Sequence, residues 1–120
     1  MSGLPDCYQS SGQPVIIGGS VETGSYLLAG EGSAASTFYT TAHGSGRIMS
    51  RHQAKKMVRG EKLLDDLARR GIYVRSASPG GVAEEAGAAY KDIDEIARVT
   101  EAAGLSRRVV KLTPMGNIKG

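Results

Sequence analysis

Residues 13–20, QPVIIGGS, carry a short unbroken apolar run rich in β-branched side chains and closed by Gly-Gly. That pattern predicts a buried strand ending in a turn. SYLLAG (25–30) predicts a second strand, and the glycine-rich link between the two has too few apolar anchors for a helix. STFYTTA (36–42) alternates threonines with aromatic residues and predicts a third strand. After Ser50 the period changes. SRHQ matches a capping box with Gln53 at the third helical position, so a helix is expected from about 50 to 59. Gly60 should weaken or bend it, and EKLLDDLARR (61–70) should continue as helix to a stop at Gly71, with Arg69 and Arg70 at the negative end of the dipole.

IYVRS (72–76) predicts a short strand and SPGG (78–81) a turn. From Tyr90, YKDIDEIARVTEAAG places Ile93, Ile96, Ala97, Thr100 and Ala103 at helical spacing with a narrow apolar face. Asp92, Asp94 and Glu95 suit the first turn of that helix better than they suit a carboxylate site, and Gly104 suits its stop. RRVVKLTPMG (107–116) predicts a last strand, weakened at Pro114. Strands come first, then helices with strands between them. This is an α+β pattern of mixed strands with flanking helices, in a chain the size of one ordinary domain.

Composition narrows the function classes. Glycine is 17 of 120 residues, about twice the usual share of roughly 7%. The chain therefore makes many tight turns or brings backbone close to a ligand. Without tryptophan and with one phenylalanine, it is poorly equipped as an aromatic platform for stacking nucleic-acid bases. No apolar run reaches the roughly 18 residues of a membrane span, and the N-terminus lacks the basic and apolar regions of a secretory signal. The single cysteine, Cys7, fits a reducing, cytoplasmic setting and is expected to be a partly buried, unactivated thiol. The net charge of +3 is unevenly placed: residues 1–46 hold three acids and no Lys or Arg, and all fifteen basic residues follow from Arg47 onward. Solvated helix faces account for most of that charge, but its onset also hints at a phosphate-rich partner.

The onset coincides with one stretch, TTAHGSGRIMSR (40–51). Gly44 and Gly46 let the backbone approach a ligand, successive N–H groups in such a turn form an anion nest, and a helix N-terminus follows. If the first helical turn reaches back to Arg47, Arg47 and Arg51 lie on one helix face and point at one neighbourhood. Each step favours phosphate. His43 could attack phosphorus, act as a base, bind a metal or be structural. The second histidine, His52, reads as a solvated helix residue. No Cys-x-x-Cys, His-Glu-x-x-His, Walker-type loop or Gly-x-Ser-x-Gly elbow is present.

The segments QPVIIGGSVETGSYLLAG, HGSGRIMSR, AYKDIDEI and the terminal IKG, taken together, resemble the C-terminal part of the RtcB family of RNA-splicing ligases, over nearly the whole chain from about Gly12 to Gly120. The resemblance implies a GTP- and Mn2+-dependent ligase. It would join RNA 2′,3′-cyclic phosphate or 3′-phosphate ends to 5′-hydroxyl ends through a histidine-GMP intermediate, as in tRNA splicing and RNA repair. It implies that His43 is the nucleophile and that Gly44, Ser45 and Gly46 contact the nucleotide. Gly18, Gly19, Ser20, Val21 and Ser25 would contribute to the guanylate pocket. Tyr90 would stack near the base, Lys119 would read guanine, and Arg47 and Arg51 would hold phosphates.

The chain departs from the family at Gly18, where proline is frequent, at Val21-Glu22-Thr23, and at Ser45, where alanine is usual. Glu22 would place negative charge near the pocket unless it faces solvent. The family's manganese ligands lie upstream of the matched region, so no metal ligand is assigned in this chain. The expected partners are RNA (tRNA halves or broken ends), the missing N-terminal part of the ligase, and archease as a possible activator, with no membrane. Two other readings stay open: a truncated, non-catalytic nucleotide or RNA-end binding module, and a basic α+β interaction protein whose motif is structural.

Overall fold

The computed structural model describes residues 3–119; Met1, Ser2 and Gly120, the last of the terminal Lys-Gly pair, lie outside the described residues. In chain order the elements are helix α1 (Asp6–Gln9), strand β1 (Pro14–Gly18), strand β2 (Ser25–Gly30), a 3₁₀ turn (Gly32–Thr37), helix α2 (Arg51–Met57), helix α3 (Gly60–Arg69), strand β3 (Tyr73–Ser76), helix α4 (Pro79–Glu84), a second 3₁₀ turn (Gly87–Ala89), helix α5 (Ile93–Ala102), strand β4 (Ser106–Leu112) and strand β5 (Gly116–Lys119). The fold is α+β, as the pattern predicts. No helix among the described residues is long and apolar enough to cross a membrane. The chain divides into two compact units.

The first unit comprises Met1–Gly18, Ser25–Ser45 and Asp92–Leu112. Its sheet runs β1-β2-β4, antiparallel throughout, with Ile17 opposite Tyr26 and Tyr26 opposite Lys111, and an irregularity in the β2–β4 pairing between Leu27 and Leu28. Strand alternation puts Ile17, Tyr26 and Leu28 on the face that meets Ile93 and Ala97 of α5. Burying each large apolar side chain there contributes about 1.5–3 kcal/mol. Asp92 caps α5 by accepting the Asp94 amide at 2.8 Å. Asp94 accepts from Tyr26 and pairs with Lys111 at 2.8 Å, and these partners, Lys111 first, hold its carboxyl below the usual range. The acidic cluster is thus accounted for within the unit. Ala103, expected on the apolar face, instead ends the helix and is exposed.

The strand expected at 36–42 does not form. Ser36 and Thr37 belong to the 3₁₀ turn, and Phe38 and Tyr39 adopt left-handed φ of 55° and 57°. The threonines satisfy the local backbone themselves: Thr37 Oγ1 bonds the carbonyls of Ala34 (3.0 Å) and Thr40 (2.9 Å), and Thr40 Oγ1 bonds that of Thr37. Such bonds compete with a strand ladder, and strand propensity counts only where a neighbouring strand offers a surface. Cys7, expected to be partly buried, is exposed on α1.

The second unit comprises Gly19–Gly24, Gly46–Lys91 and Thr113–Gly120. Leu63 and Leu67 of α3 pack with Val21, Ile72, Val82 and Ala86. Strand β3 pairs with β5 in parallel, Tyr73 opposite Gly116 and Ser76 opposite Lys119. Strand β5 has no local signal in NIKG because its partner lies some forty residues away. Ser50 caps α2 by accepting the Gln53 amide at 3.0 Å, as the capping box predicts, and Gly71 ends α3 at φ 78°. SPGG, expected as a turn, opens α4 instead: Ser78 Oγ accepts the Gly81 amide at 3.2 Å and Pro79 takes a first-turn position. The burial of Val82 and Ala83 outweighs the poor helix propensity of the two glycines.

Gly60 does not bend a continuous helix. Helix α2 stops at Met57, Val58 is extended (φ −122°, ψ 127°), and Gly60 starts α3. A Cβ on Gly60 would lie 1.9 Å from the Pro79 carbonyl oxygen, so the glycine permits backbone contact between the starts of α3 and α4. Gly60→Ala should therefore lower the unfolding free energy by about 1–3 kcal/mol in urea denaturation. Unchanged stability would mean that α3 can move off Pro79 freely.

Candidate functional site

In the first unit the histidine segment is tied to the end of β1. The Gly18 amide donates to the His43 carbonyl (3.2 Å) and the Ser45 amide donates to the Gly18 carbonyl (2.9 Å), making a parallel bridge between Gly18 and Gly44. Ser25 opens β2 directly opposite Gly18. Gly18, Ser25, His43, Gly44 and Ser45 are therefore gathered at one end of the sheet. The backbone of His43 is fixed and its side chain is exposed. His43 also lines a cleft of about 480 Å³ with Val15, Ile16, Tyr39, Thr41 and Ala42.

A Cβ on Gly18 would meet nothing within 4 Å, and one on Gly44 only the Gly18 carbonyl at 3.6 Å. Neither glycine is demanded by packing inside the unit. Ser45 is 3% exposed, and its hydroxyl, like that of Thr41, is buried without a hydrogen-bond partner. An orphaned buried hydroxyl costs about 1–3 kcal/mol. The open backbone at Gly18 and Gly44 leaves room for a phosphate-bearing ligand, whereas the Ser45 and Thr41 hydroxyls are enclosed by protein.

In the second unit, residues 19–24 form a compact turn. The Ser20 amide donates to Thr23 Oγ1 (3.0 Å), and Ser20 Oγ accepts from the amides of Glu22 (3.1 Å) and Thr23 (3.2 Å). A Cβ on Gly19 would sit 2.1 Å from the Gly24 carbonyl, so this turn requires glycine. The Val21 side chain is core. Its amide donates to the Glu85 carbonyl (3.3 Å) and its carbonyl accepts from Asn117 Nδ2 (3.2 Å). Glu22 is a brace: its carboxylate accepts the Gly87 amide and pairs with Arg70 at 3.2 Å, so its charge is compensated inside the unit.

Arg47 and Arg51 do not share a helix face. Gly46 and Ile48 pair with Lys91 and Ala89 through backbone bonds of 2.9 Å, which holds the segment extended until Ser50 caps α2. Arg51 is exposed at the first position of α2. Arg47 turns inward: Nε donates to the Met49 carbonyl (3.0 Å), Nη1 to the Tyr90 hydroxyl (3.0 Å) and Nη2 to the Glu84 carbonyl (2.6 Å), with the guanidinium 4.8 Å from the Tyr90 ring centre. The Tyr90 hydroxyl in turn donates to Glu85 Oε2, and the same oxygen lies 3.4 Å from Lys119 Nζ. Burial pushes the Tyr90 phenol up, as do the Glu85 hydrogen bond and charge, against the opposing effect of Arg47. Burial also raises the Glu85 carboxyl, but the bond from Tyr90 and the charges of Lys119 and Arg47 outweigh it, leaving the group below its ordinary value. Glu85 is thus an anion and Tyr90 a neutral phenol near pH 7. Nothing in VAEEAG marks Glu85; it reads as one of two adjacent solvated acids, and only the fold reveals its neighbours.

His52 is exposed on α2. Among the described residues no group of three or more His, Cys, Asp or Glu is placed to hold a metal ion. These residues do not by themselves fit a manganese centre.

Replacing Ser45 by alanine removes the orphaned hydroxyl. Ser45→Ala should leave the unfolding free energy unchanged or raise it by about 1 kcal/mol in urea denaturation. A loss of more than that would show that the hydroxyl has a partner in solution.

The family model described as tRNA-splicing ligase RtcB matches residues 1–120. The chain is 49% identical over 118 residues to the tRNA-splicing ligase RtcB of Pyrococcus furiosus, covering 98% of this chain and 12% of that protein. It is 48% identical to the RNA-splicing ligase RtcB of Mycobacterium tuberculosis (98% and 27%) and 44% identical to the tRNA-splicing ligase RtcB of Aeropyrum pernix (98% and 24%). The chain spans only 12–27% of the length of these relatives. With a matching family model over its whole length and the histidine-glycine motif seated on β1, the chain belongs to the RtcB family of tRNA-splicing ligases.

Proposed function

We propose that this chain is the guanylate-accepting portion of an RNA ligase that joins 2′,3′-cyclic phosphate or 3′-phosphate ends to 5′-hydroxyl ends, using GTP and manganese. The observation that carries the reading is His43: its backbone is locked to the end of β1 while its imidazole stands exposed. A nucleophile needs that combination of fixed position and access.

In this mechanism a neutral imidazole nitrogen of His43 attacks the α-phosphorus of GTP. An N–P bond forms, the P–O bond to pyrophosphate breaks, and pyrophosphate leaves. A 2′,3′-cyclic end is first opened by water, which breaks the P–O2′ bond and leaves a 3′-phosphate; the GMP group then passes to that 3′-phosphate, which restores the histidine, and the 5′-hydroxyl attacks and expels GMP. The open backbone at Gly18 and Gly44 accommodates phosphate oxygens, with Ser45 and Gly46 beside it in sequence and Ser25 beside it in the sheet. Gly19, Ser20 and Val21 contribute a turn built on backbone hydrogen bonds, Tyr90 and Lys119 address the base, and Arg51 offers its charge to phosphate. Arg47, expected to do the same, has its guanidinium engaged by Met49, Tyr90 and Glu84, so its contribution is to hold Tyr90. Manganese, when bound, would neutralise triphosphate charge. Its ligands belong to the upstream part of the ligase, without which this portion is inactive. RNA ends, tRNA halves among them, are the substrates, archease is a candidate activating partner, and the cytoplasm is the setting.

The test is incubation of the chain with α-labelled GTP and Mn2+, with and without the upstream part of an RtcB ligase. The expected result is an acid-labile adduct on His43 only in the complemented reaction, abolished by His43→Ala. Labelling that survives His43→Ala would reject His43 as the nucleophile. Binding of GMP or RNA ends with no adduct under complementation would favour the non-catalytic binding module.

A further inference from the structure

Every candidate base-contacting residue of the second unit meets one side chain that the motifs do not single out. Glu85 follows α4, and its backbone carbonyl accepts the Val21 amide at 3.3 Å, fastening the Gly19–Thr23 turn. Its Oε2 accepts the Tyr90 hydroxyl and lies 3.4 Å from Lys119 Nζ. The Glu85 side chain is 17% exposed and that of Lys119 34%, so the pair is shielded but open at the ammonium end. A lysine chain has four rotatable bonds and selects no direction alone, and a tyrosine side chain can rotate about χ1 and carry its hydroxyl away. A single half-buried carboxylate oxygen removes both freedoms. Arg47 closes the arrangement by donating to the Tyr90 hydroxyl and covering one face of its ring at 4.8 Å, which fixes the ring plane.

We propose that Glu85 is a positioning residue for guanine recognition, acting through Lys119 and Tyr90: it aims the ammonium at the acceptor edge of the base and sets the ring on which the base stacks. The proposal rests on the guanylate reading above. The carboxylate does not touch the base. It makes the base-reading groups ready before binding, so that less freedom is lost on association. Neighbouring groups support this division of labour. Glu84 is engaged with Lys55 at 2.9 Å and Glu22 with Arg70 at 3.2 Å, so neither of these glutamates is the partner of Lys119.

The test is a double-mutant cycle on the full chain supplied with the upstream ligase part, reading calorimetric affinities for GMP and AMP. Glu85→Gln preserves shape and removes charge. It should cut the preference for GMP over AMP about tenfold, the value of one charge-assisted contact. In a Lys119→Ala background Glu85→Gln should change that preference little, since the residue it positions is gone. A purely structural role would weaken GMP and AMP alike and leave the ratio standing. If the unmutated chain prefers GMP and Glu85→Gln keeps the preference, the positioning role is wrong and the guanylate reading survives. If the unmutated chain shows no preference for GMP, the base-reading assignments of Lys119 and Tyr90 fail, and the role of Glu85 fails with them. Should Glu85→Gln not fold, Glu85→Asp, which keeps the charge and withdraws it by one methylene, replaces it in the cycle: a reduced preference for GMP supports the positioning role, and an unchanged preference overturns it.

Discussion

Two backbone hydrogen bonds hold the histidine segment to the sheet: Gly18 to His43 and Ser45 to Gly18. They make a single parallel bridge between Gly44 and the end of β1, whose other edge is locked into the antiparallel pairing with β2. Strand β1 is fixed in turn because Ile17 is fully buried against Tyr26, Leu28 and α5. The line of causes therefore runs from an apolar run in the sequence, to a strand that must be buried, to a glycine at its end that leaves the backbone accessible, to a histidine whose main chain cannot wander. A glycine-rich turn free of such ties would cost binding energy each time it was ordered around a ligand.

How much of this was legible in the sequence depends on whether the signal was local. Strands β1 and β2, the Ser50 cap, the stop at Gly71 and the helix from Ile93 all follow from neighbouring residues and match the predictions within a residue or two. The failures share a cause. Phe38 and Tyr39 look like strand residues, but no neighbouring strand offers them a surface, and adjacent threonines close a tighter turn. Gly60 looks like a flaw in a helix, yet its role is set by Pro79, nineteen residues later. Strand β5 exists only because β3 is there to pair with it. Within the candidate site, the resemblance singles out His43 and its glycines, while Glu85 carries no signal in the sequence because its contacts with Val21, Tyr90 and Lys119 follow no spacing rule.

The second unit also shows how charge is allocated. The sequence places two arginines four apart and suggests a matched pair, but an antiparallel contact between Arg47 and Tyr90 keeps the first one out of the helix. Its guanidinium is then spent on two carbonyls and a phenol, and Arg51 alone stays exposed. Glu22, which looked hostile to an anionic ligand, is neutralised by Arg70 and by the Gly87 amide. Charges that appear functional in one dimension thus become architecture in three, and an acid that appeared incidental sits at the centre of the polar network.

The histidine motif is tied to the end of a sheet strand by two backbone hydrogen bonds and is not a free loop. Amide hydrogen exchange of the full chain, resolved at Gly18 and Ser45, tests that tie most directly. Both amides should show protection approaching that of the β1–β2 ladder, because both are hydrogen-bonded at the end of β1. Exchange at the rate of an unstructured glycine-rich segment would contradict it.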